Sequence, residues 1–386
     1  MRVLISGGGS GGHIYPALAV ATQLQETYNA QILYLGSDDG LETDLVPAAG
    51  LRMVVVKAGK LQRFVSWRTL VGVARVPVGM LQALSIVRAF RPDAAFTSGG
   101  YVAVPAGLAA RLNRVPLLMH QQDVPPNLSN RLIAPLATRI SVAFADSLHY
   151  FPAHKTVQLG NPVRQAILEA RQTTPEQARE QLGLAAERPL LLVTGGSQGA
   201  RHLNQTLCRA LPMLLEQCQV LHISGKNLFD ETRVLAESAL ADLDAGTRQR
   251  YRLVPYLSEQ MPLALQAATL VVCRSGAATL SELAALSKPA ILVPLPPALG
   301  GSPQEANAAM FGQKKAAEVI RDTDLSPEIL AQRVQECINA PEHLQTMAQA
   351  AGSMAKPEAT REIVQAIASL ARTAETTTEQ HRSVVF

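Results

Sequence analysis

The chain has 386 residues, long for one core, and a length prior gives roughly two domains of ~150–200 residues. Apolar residues make up 47% and charged residues only 17%, which excludes a disordered chain, while aromatics at 4% leave an aliphatic core suited to parallel α/β sheets. The net charge is a modest +4, and Cys208, Cys218, Cys273 and Cys337 form no CxxC pair and no cluster with histidines. That argues against zinc and disulfide frameworks and fits a reducing cytoplasm. Glycines interrupt the first apolar run from Gly7 onward, so no signal peptide is read there.

An apolar strand, Arg2 to Ser6, runs into Gly7-Gly8-Gly9-Ser10-Gly11-Gly12-His13, and a helical pattern follows over Ala17 to Leu24. Further strands are predicted at 31–35, 52–56, 94–97, 116–119 and 139–142, with helical segments between most of them. Strands spaced by helices read as βαβ units and a parallel sheet. Between Asp44 and Asp93 there is no acidic residue, whereas Arg52, Lys57, Lys60, Arg63, Arg68, Arg75, Arg88 and Arg91 all fall there. That imbalance predicts an anionic partner for one face of the N-terminal half. Within it, 69–87 is apolar over nearly a membrane-spanning length, but Arg75 and Pro77 disfavour a span. Leu70, Val73, Val76, Pro77, Met80 and Leu84 recur at helical spacing among Arg68, Arg75 and Arg88. Two readings stand: a buried amphipathic helix, or a helix lying on an anionic membrane surface.

Gly160-Asn161-Pro162-Val163 breaks the alternation and reads as a linker. The scheme then repeats, with strands near 190–194, 219–223, 252–254, 269–272 and 290–293. Pro294 to Pro303 is a loop, helices fill 304 to about 371, and Thr373 to Phe386 reads as a disordered polar tail.

A strand that ends in glycines and opens a helix presents backbone N–H groups and the positive helix end to an anion. The unit occurs twice, at Gly7 and again at Gly195-Gly196-Ser197-Gln198-Gly199-Ala200, which suggests two nucleotide-type domains facing one cleft. Gly7-x-Gly9-x-x-Gly12 fits the dinucleotide fingerprint, with Asp38-Asp39 after the second strand as the ribose acid, and taken alone supports an NAD-type oxidoreductase. So many glycines, however, leave space for a bulkier group, and they set His13 on the first helical turn. There the helix end favours the neutral, basic imidazole; a structural or solvated histidine is the plain alternative.

The second turn lacks the Lys-Ser/Thr ending of a P-loop, so it reads as a phosphate cradle to which Ser197 adds a hydroxyl. Cys273-Arg274-Ser275-Gly276-Ala277-Ala278-Thr279-Leu280-Ser281-Glu282 is another strand–turn–helix with small residues at the helix start. Glu282 could there accept both ribose hydroxyls, or simply be a solvated helix carboxylate. HExxH and GxSxG are absent, and Asp322-Thr323-Asp324, after a strand-like AEVI segment, reads as a turn rather than a metal-binding DxD.

Five of these segments occur in order: Gly7 to Pro16 (GGGSGGHIYP), Ser98-Gly99-Gly100-Tyr101, Gly160-Asn161-Pro162-Val163-Arg164, Gly195 to Ala200, and Cys273 to Glu282. Together, over roughly residues 1–370, they closely resemble the MurG family of bacterial N-acetylglucosaminyltransferases, glycosyltransferase family 28. The resemblance implies an inverting, metal-independent and cofactor-free enzyme of the GT-B fold, two Rossmann-like parallel-sheet α/β domains facing a central cleft. It implies transfer of GlcNAc from UDP-GlcNAc to the C4 hydroxyl of undecaprenyl-pyrophosphoryl-MurNAc-pentapeptide (lipid I), giving lipid II for peptidoglycan synthesis at the cytoplasmic face of the membrane. Domain expectations are 1–162 for the acceptor and membrane, 163–355 for UDP-GlcNAc, a helix 356–372 packing back on the first domain, and a tail 373–386. Partners implied are the donor, the lipid acceptor, an anionic membrane and possible cell-wall and division proteins, with no nucleic acid.

Carried onto this chain, the family's pattern puts Ser10, Gly11 and Gly12 near the sugar and acceptor diphosphate, and Arg164 and Ser197 on the donor phosphates. The backbone at Leu257 would read uracil. Ala277, Ala278, Thr279, Leu280, Ser281 and Glu282 would cradle the diphosphate and ribose, and Gln304 and Asn307 the GlcNAc hydroxyls. His13 is the candidate base, and Arg68, Val73, Arg75, Val76 and Met80 the candidate membrane contacts. Two departures stand out. His120-Gln121-Gln122-Asp123 replaces the family's His-Glu-Gln-Asn, and Pro303-Gln304 replaces its Gln-Gln pair, which puts base and donor contacts in doubt at those positions. Other readings are a UDP-GlcNAc 2-epimerase or a different lipid-linked sugar transferase of the same fold, and a non-catalytic membrane scaffold.

Overall fold

The computed structural model describes residues 1–9, 11–38, 40–57, 67–196, 198–296 and 304–383, with side chains described for all of these except 67–76 and 374–383. The chain forms two compact units, one of Met1–Arg164 with Lys356–Phe386 and one of Gln165–Ala355.

In the first unit the strands are β1 (Arg2–Ser6), β2 (Gln31–Ser37), β3 (Met53–Val56), β4 (Ala94–Thr97), β5 (Leu117–Gln121), β6 (Arg139–Val142) and β7 (Thr156–Gln158). They form one parallel sheet in the order β3-β2-β1-β4-β5-β6-β7. The strand at 156–158 is one the sequence did not predict; its three residues are too short and too exposed to carry an apolar signal. Because side chains alternate across a strand, Val3 and Ile5 join one core and Leu4 the other, so both faces of the sheet are covered.

The helix Ala359–Ser383 completes the first of those cores. Ile363, Val364, Ile367, Leu370 and Ala371 line one face of it and pack with Val20, Leu24 and Ile32. It runs on to Ser383, where the sequence reading expected a disordered tail from Thr373. No glycine or proline follows Pro357, so nothing local stops the helix.

The second unit repeats the plan with β8 (Leu190–Thr194), β9 (Gln219–Ile223), β10 (Tyr251–Val254), β11 (Leu270–Cys273), β12 (Ala290–Leu292) and β13 (Glu318–Val319). Their order is β10-β9-β8-β11-β12-β13, again parallel. β8 and β9 are buried at every position, as strands sandwiched between helices must be.

The basic stretch contains the helix Trp67–Phe90. Arg68, Val73, Arg75 and Val76 lie outside the described side chains. In the described part the buried residues are Gly79, Ala83 and Val87, backed by Ile86 and Phe90, while Val78 and Leu81 are 45% and 69% exposed. Pro77 is exposed, and Met80 and Leu84 are half-buried, so the described part of the stripe read from spacing is not the face most buried in the core; Leu70, like Val73 and Val76, lies outside the described side chains. Among the described residues, no helix is long and apolar enough to cross a membrane.

Candidate active site

Both glycine turns emerge where the strand order reverses direction. In the first unit Ser6 of β1 is in register with Thr97 of β4, and in the second Thr194 of β8 with Cys273 of β11. At such a switch point the loops leaving two neighbouring strands diverge and open a crevice for a ligand.

The first turn leads into the helix Gly11–Tyr28. Space dictates its glycines: a Cβ on Gly7 would overlap the Ser98 hydroxyl, and one on Gly100 would strike the Gly8 carbonyl. Glu42, a residue with no motif signal, lies fully buried beneath the turn. Its Oε2 accepts the Gly9 N–H (3.1 Å), and its Oε1 accepts the Ser37 N–H (3.1 Å) and hydroxyl (2.6 Å). With the Ser37 proton spent on Glu42, the Tyr101 hydroxyl donates to Ser37 Oγ (2.6 Å). Tyr34 donates to the Gly7 carbonyl, and burial together with the Glu42 charge pushes its phenol well above the ordinary range, so it remains a donor. Of the Asp38-Asp39 pair of the dinucleotide reading, Asp38 is exposed and Asp39 lies outside the described residues. The acid that the fold delivers to this turn is Glu42, and it holds backbone rather than ribose.

His13 is half-buried on the first turn of that helix. Its Nδ1 lies 2.9 Å from the Ser98 carbonyl oxygen, which can only accept. The ring proton therefore sits on Nδ1, leaving Nε2 with a free lone pair in the neutral ring. Gln122 Nε2 donates to the same carbonyl (3.0 Å) and touches His13 Nδ1 at 3.3 Å. Gly99, at φ 105°, lets the ring come close: an added Cβ would lie 3.0 Å from both Cε1 and Nδ1. Ser98 Oγ donates to the His13 carbonyl (2.7 Å), closing a reciprocal clamp.

The neighbours of Gln122 serve the scaffold. His120 is fully buried between Ser141 Oγ (2.9 Å, at Nδ1) and Asn161 Oδ1 (3.0 Å, at Nε2), and burial lowers its pKa to about 4. Gln121 donates to the Asp123 carbonyl (2.7 Å) and accepts from Asn130 Nδ2 (2.7 Å). Asp123 is itself buried. His120 thus anchors the Gly160-Asn161-Pro162 segment that leads to Arg164, whose guanidinium lies over the Tyr15 ring, 5.4 Å from its centroid.

In the second unit the turn after β8 packs backbone to backbone on the next loop: a Cβ on Gly199 (φ 75°) would strike the Ser224 carbonyl. Asn204 holds that loop from below. Its Nδ2 donates to Ser224 O (2.9 Å), its Oδ1 accepts from His222 Nε2 (3.1 Å), and His222 Nδ1 meets the Tyr251 hydroxyl (2.9 Å). Burial lowers the His222 pKa to about 3. Among the described residues, nothing lies within 4 Å of a Cβ added at Gly196 or Gly276, in the two turns leaving β8 and β11.

Ser10 and Ser197 lie outside the described residues. Gly11 is buried and Gly12 half-buried. In the helix Ala277–Ala285, Leu280 is fully buried with its N–H donated to Gly276 O (3.0 Å), and the Ser281 hydroxyl donates to the Ala277 carbonyl (2.8 Å), so neither of those donors is left for a ligand. Ala278, Thr279 and Glu282 are half-buried beside buried Ala277. Asn307, expected on sugar hydroxyls, is fully buried and donates to the Ser275 carbonyl (3.0 Å), while Ser275 Oγ donates to the Gln304 carbonyl (2.7 Å). Gln304 Oε1 accepts the Leu295 N–H (3.0 Å). Leu257 is half-buried after β10, and Lys226 lies over the neighbouring Tyr256 ring at 5.3 Å.

Arg274 and Asp322, which no motif singled out as partners, form a buried ion pair at 2.5 Å. Arg274 also donates to Val293 O (3.0 Å) and Pro294 O (3.2 Å), and His202 meets the other Asp322 oxygen at 3.1 Å. The Asp322–Asp324 segment is a 3-10 turn, as read from sequence, and its first acid braces the turn after β11.

Two doubly wound parallel sheets, each with a glycine turn at its switch point, define the chain as a GT-B-type α/β enzyme. Family models agree in detail: the glycosyltransferase family 28 N-terminal domain matches residues 3–142 and the C-terminal domain residues 190–365. The chain belongs to glycosyltransferase family 28, and it is a glycosyltransferase. The UDP-N-acetylglucosamine–N-acetylmuramyl-(pentapeptide) pyrophosphoryl-undecaprenol N-acetylglucosamine transferase of Desulforudis audaxviator is 40% identical over 96% of this chain and 99% of its own. The enzyme of the same name from Caldanaerobacter subterraneus is 36% identical over 96% and 100%. The crystal structure of Acinetobacter baumannii MurG superposes with a TM-score of 0.74 at 31% identity, over 95% of this chain and 99% of that one. A UDP-GlcNAc 2-epimerase from Neisseria meningitidis superposes at 0.68 but with 13% identity over 96% and 100%, a likeness of fold alone.

Proposed function

We infer that this chain transfers GlcNAc from UDP-GlcNAc to the C4 hydroxyl of undecaprenyl-pyrophosphoryl-MurNAc-pentapeptide. What carries the reading is the full-length identity to transferases of that name, against a fold-only likeness to epimerases. The oriented His13 imidazole supports it chemically.

Inversion needs a single displacement. The acceptor oxygen attacks the anomeric carbon, the bond to the UDP oxygen breaks, and His13 Nε2 takes the hydroxyl proton. Negative charge grows on the departing diphosphate, and donors placed there stabilise the transition state more than the ground state. Arg164, Ser197 and the backbone N–H groups at Ala277 to Thr279 are assigned that task, with Glu282 on the ribose, Leu257 on the uracil and Gln304 on the sugar. Ser10, Gly11 and Gly12 line the acceptor side. Asn307 acts one step back, positioning Ser275. Incubating the protein with labelled UDP-GlcNAc and a lipid I analogue should yield labelled lipid II; donor binding without transfer would sink the reading.

The acceptor is lipid-linked, and the protein meets an anionic membrane on its cytoplasmic side through the basic stretch. The absence of acids between Asp44 and Asp93 and the exposed Val78 and Leu81 support this. Changing Arg68, Arg75 and Arg88 to Glu should release the protein from anionic vesicles in sedimentation. Unchanged sedimentation places the membrane face elsewhere.

A further inference from the structure

On the second unit, three residues that the sequence reading did not connect come together. β13 supplies Glu318, the helix Pro327–Ile338 supplies Cys337, and the helix Pro341–Ser353 supplies His343. Their ligating atoms all lie within 4.8 Å of one another. Glu318 Oε1 is the meeting point: the Cys337 thiol donates to it at 3.5 Å and His343 Nε2 at 3.1 Å. The thiol is buried, the carboxylate is 23% exposed and the imidazole 50% exposed, so the cluster has a sealed floor and an open side.

We propose that Glu318, Cys337 and His343 form a binding site for a borderline-soft divalent cation, Zn²⁺ by preference. Ligands ~2.0–2.3 Å from a tetrahedral zinc ion sit about 3.3–3.6 Å from each other. The contact at 3.5 Å matches that spacing, the one at 3.1 Å is slightly shorter, and the remaining pair, within 4.8 Å, closes by side-chain rotation when the ion enters. One thiolate, one imidazole and one carboxylate select zinc or cobalt over magnesium and calcium, which prefer oxygen alone. Water from the open side completes four ligands.

The proton balance is simple. In the metal-free cluster one carboxylate oxygen accepts two hydrogen bonds, from the thiol and from Nε2–H. Burial and the Glu318 charge push the thiol pKa up to about 12, so an unliganded Cys337 stays protonated. The cation forms a bond to sulfur as the S–H bond breaks and that proton leaves to solvent. The imidazole proton moves from Nε2 to Nδ1, which faces away from the metal. The ion ties the edge strand β13 to two helices just before the chain reaches Asp322, the partner of Arg274.

The test uses full-length protein without a histidine tag, stripped with a chelator and titrated with zinc in a calorimeter and with cobalt in a spectrophotometer. One zinc per chain is expected, with a rise in melting temperature, and cobalt should produce a thiolate-to-metal charge-transfer band. His343→Ala, at an exposed position, should keep its metal-free melting temperature and lose more than about tenfold in zinc affinity. Cys337→Ser should lose the cobalt band. Absence of stoichiometric zinc binding, undiminished affinity in His343→Ala, or a wild-type cobalt spectrum without the thiolate band would each overturn the site.

Discussion

Each unit carries a glycine turn braced from below, but the two braces differ in kind. Beneath the first turn lies a buried carboxylate, Glu42, which takes the Gly9 N–H for itself. The second rests on a neutral relay, Tyr251 to His222 to Asn204 to the Ser224 carbonyl, against which Gly199 packs. Negative charge under the first turn counts against a donor phosphate settling on Gly9, whereas among the described residues no carboxylate takes an N–H of the second turn. The same motif therefore serves two ends in the proposed reaction: one turn shapes the surroundings of His13, the proposed base, and the other is the one assigned to the nucleotide. The units do share one device. Both bury a neutral histidine with an asparagine oxygen on Nε2 and a hydroxyl on Nδ1.

The contrast can be broken most severely at the base. His13→Ala should lower kcat by ~10²–10⁴ with donor affinity largely kept, since only the first turn's chemistry is removed. Turnover near that of the wild type would take His13 out of the role. Next in size, Asp322→Ala leaves Arg274 as an unpaired buried cation and should cost about 3–5 kcal/mol in denaturant unfolding. It should also raise the KM for UDP-GlcNAc, because the turn after β11 loses its brace; an unchanged KM would show that the brace serves stability alone.

Glu42→Gln keeps the shape but turns an acceptor oxygen into a donor facing N–H groups, an expected loss of about 1–3 kcal/mol. Activity should fall more than donor binding does, and equal losses would place this turn on the donor instead.

The smallest effect is a dependence on pH shared by the units. The folded pKa values of His120 and His222, about 4 and about 3, lie below the ordinary 6.5, so the unfolded chain binds more protons between those values. Stability is fully present above pH 6.5 and is lost as pH falls toward 4 and 3. Near pH 5.5 each histidine contributes a slope of about 1 kcal/mol per pH unit. Melting curves of His120→Asn and His222→Asn should each show a shallower acid slope than the wild type; slopes that do not change would place the titrating groups elsewhere.

Much of the molecule was legible beforehand because its signals are local. Apolar runs such as Leu190 to Val193, glycines at their ends and helical stripes between them set out strands, turns and the doubled α/β plan. They also marked His13, the Gly195 turn and the Cys273–Glu282 segment, whereas Arg164 came only from the family resemblance. The misses have local causes too. β7 is too short to show a period, and the apolar residues around Arg75 offered more than one stripe, of which packing chose Ala83 and Val87. What no pattern announced depends on residues distant in sequence meeting across the fold. Glu42 reaches Gly9, Asp322 reaches Arg274, and Glu318 meets Cys337 and His343 only because the sheets and the helices packed on them bring these residues together. By itself the sequence determined the doubled α/β plan, since glycine spacing and strand–helix alternation are covalent-scale facts, and the class of enzyme followed from the resemblance of five ordered motifs to a known family. Which carboxylate braces, which amide positions and which reaches a ligand was decided by tertiary structure, because burial and hydrogen-bond partners exist only once the sheets have formed.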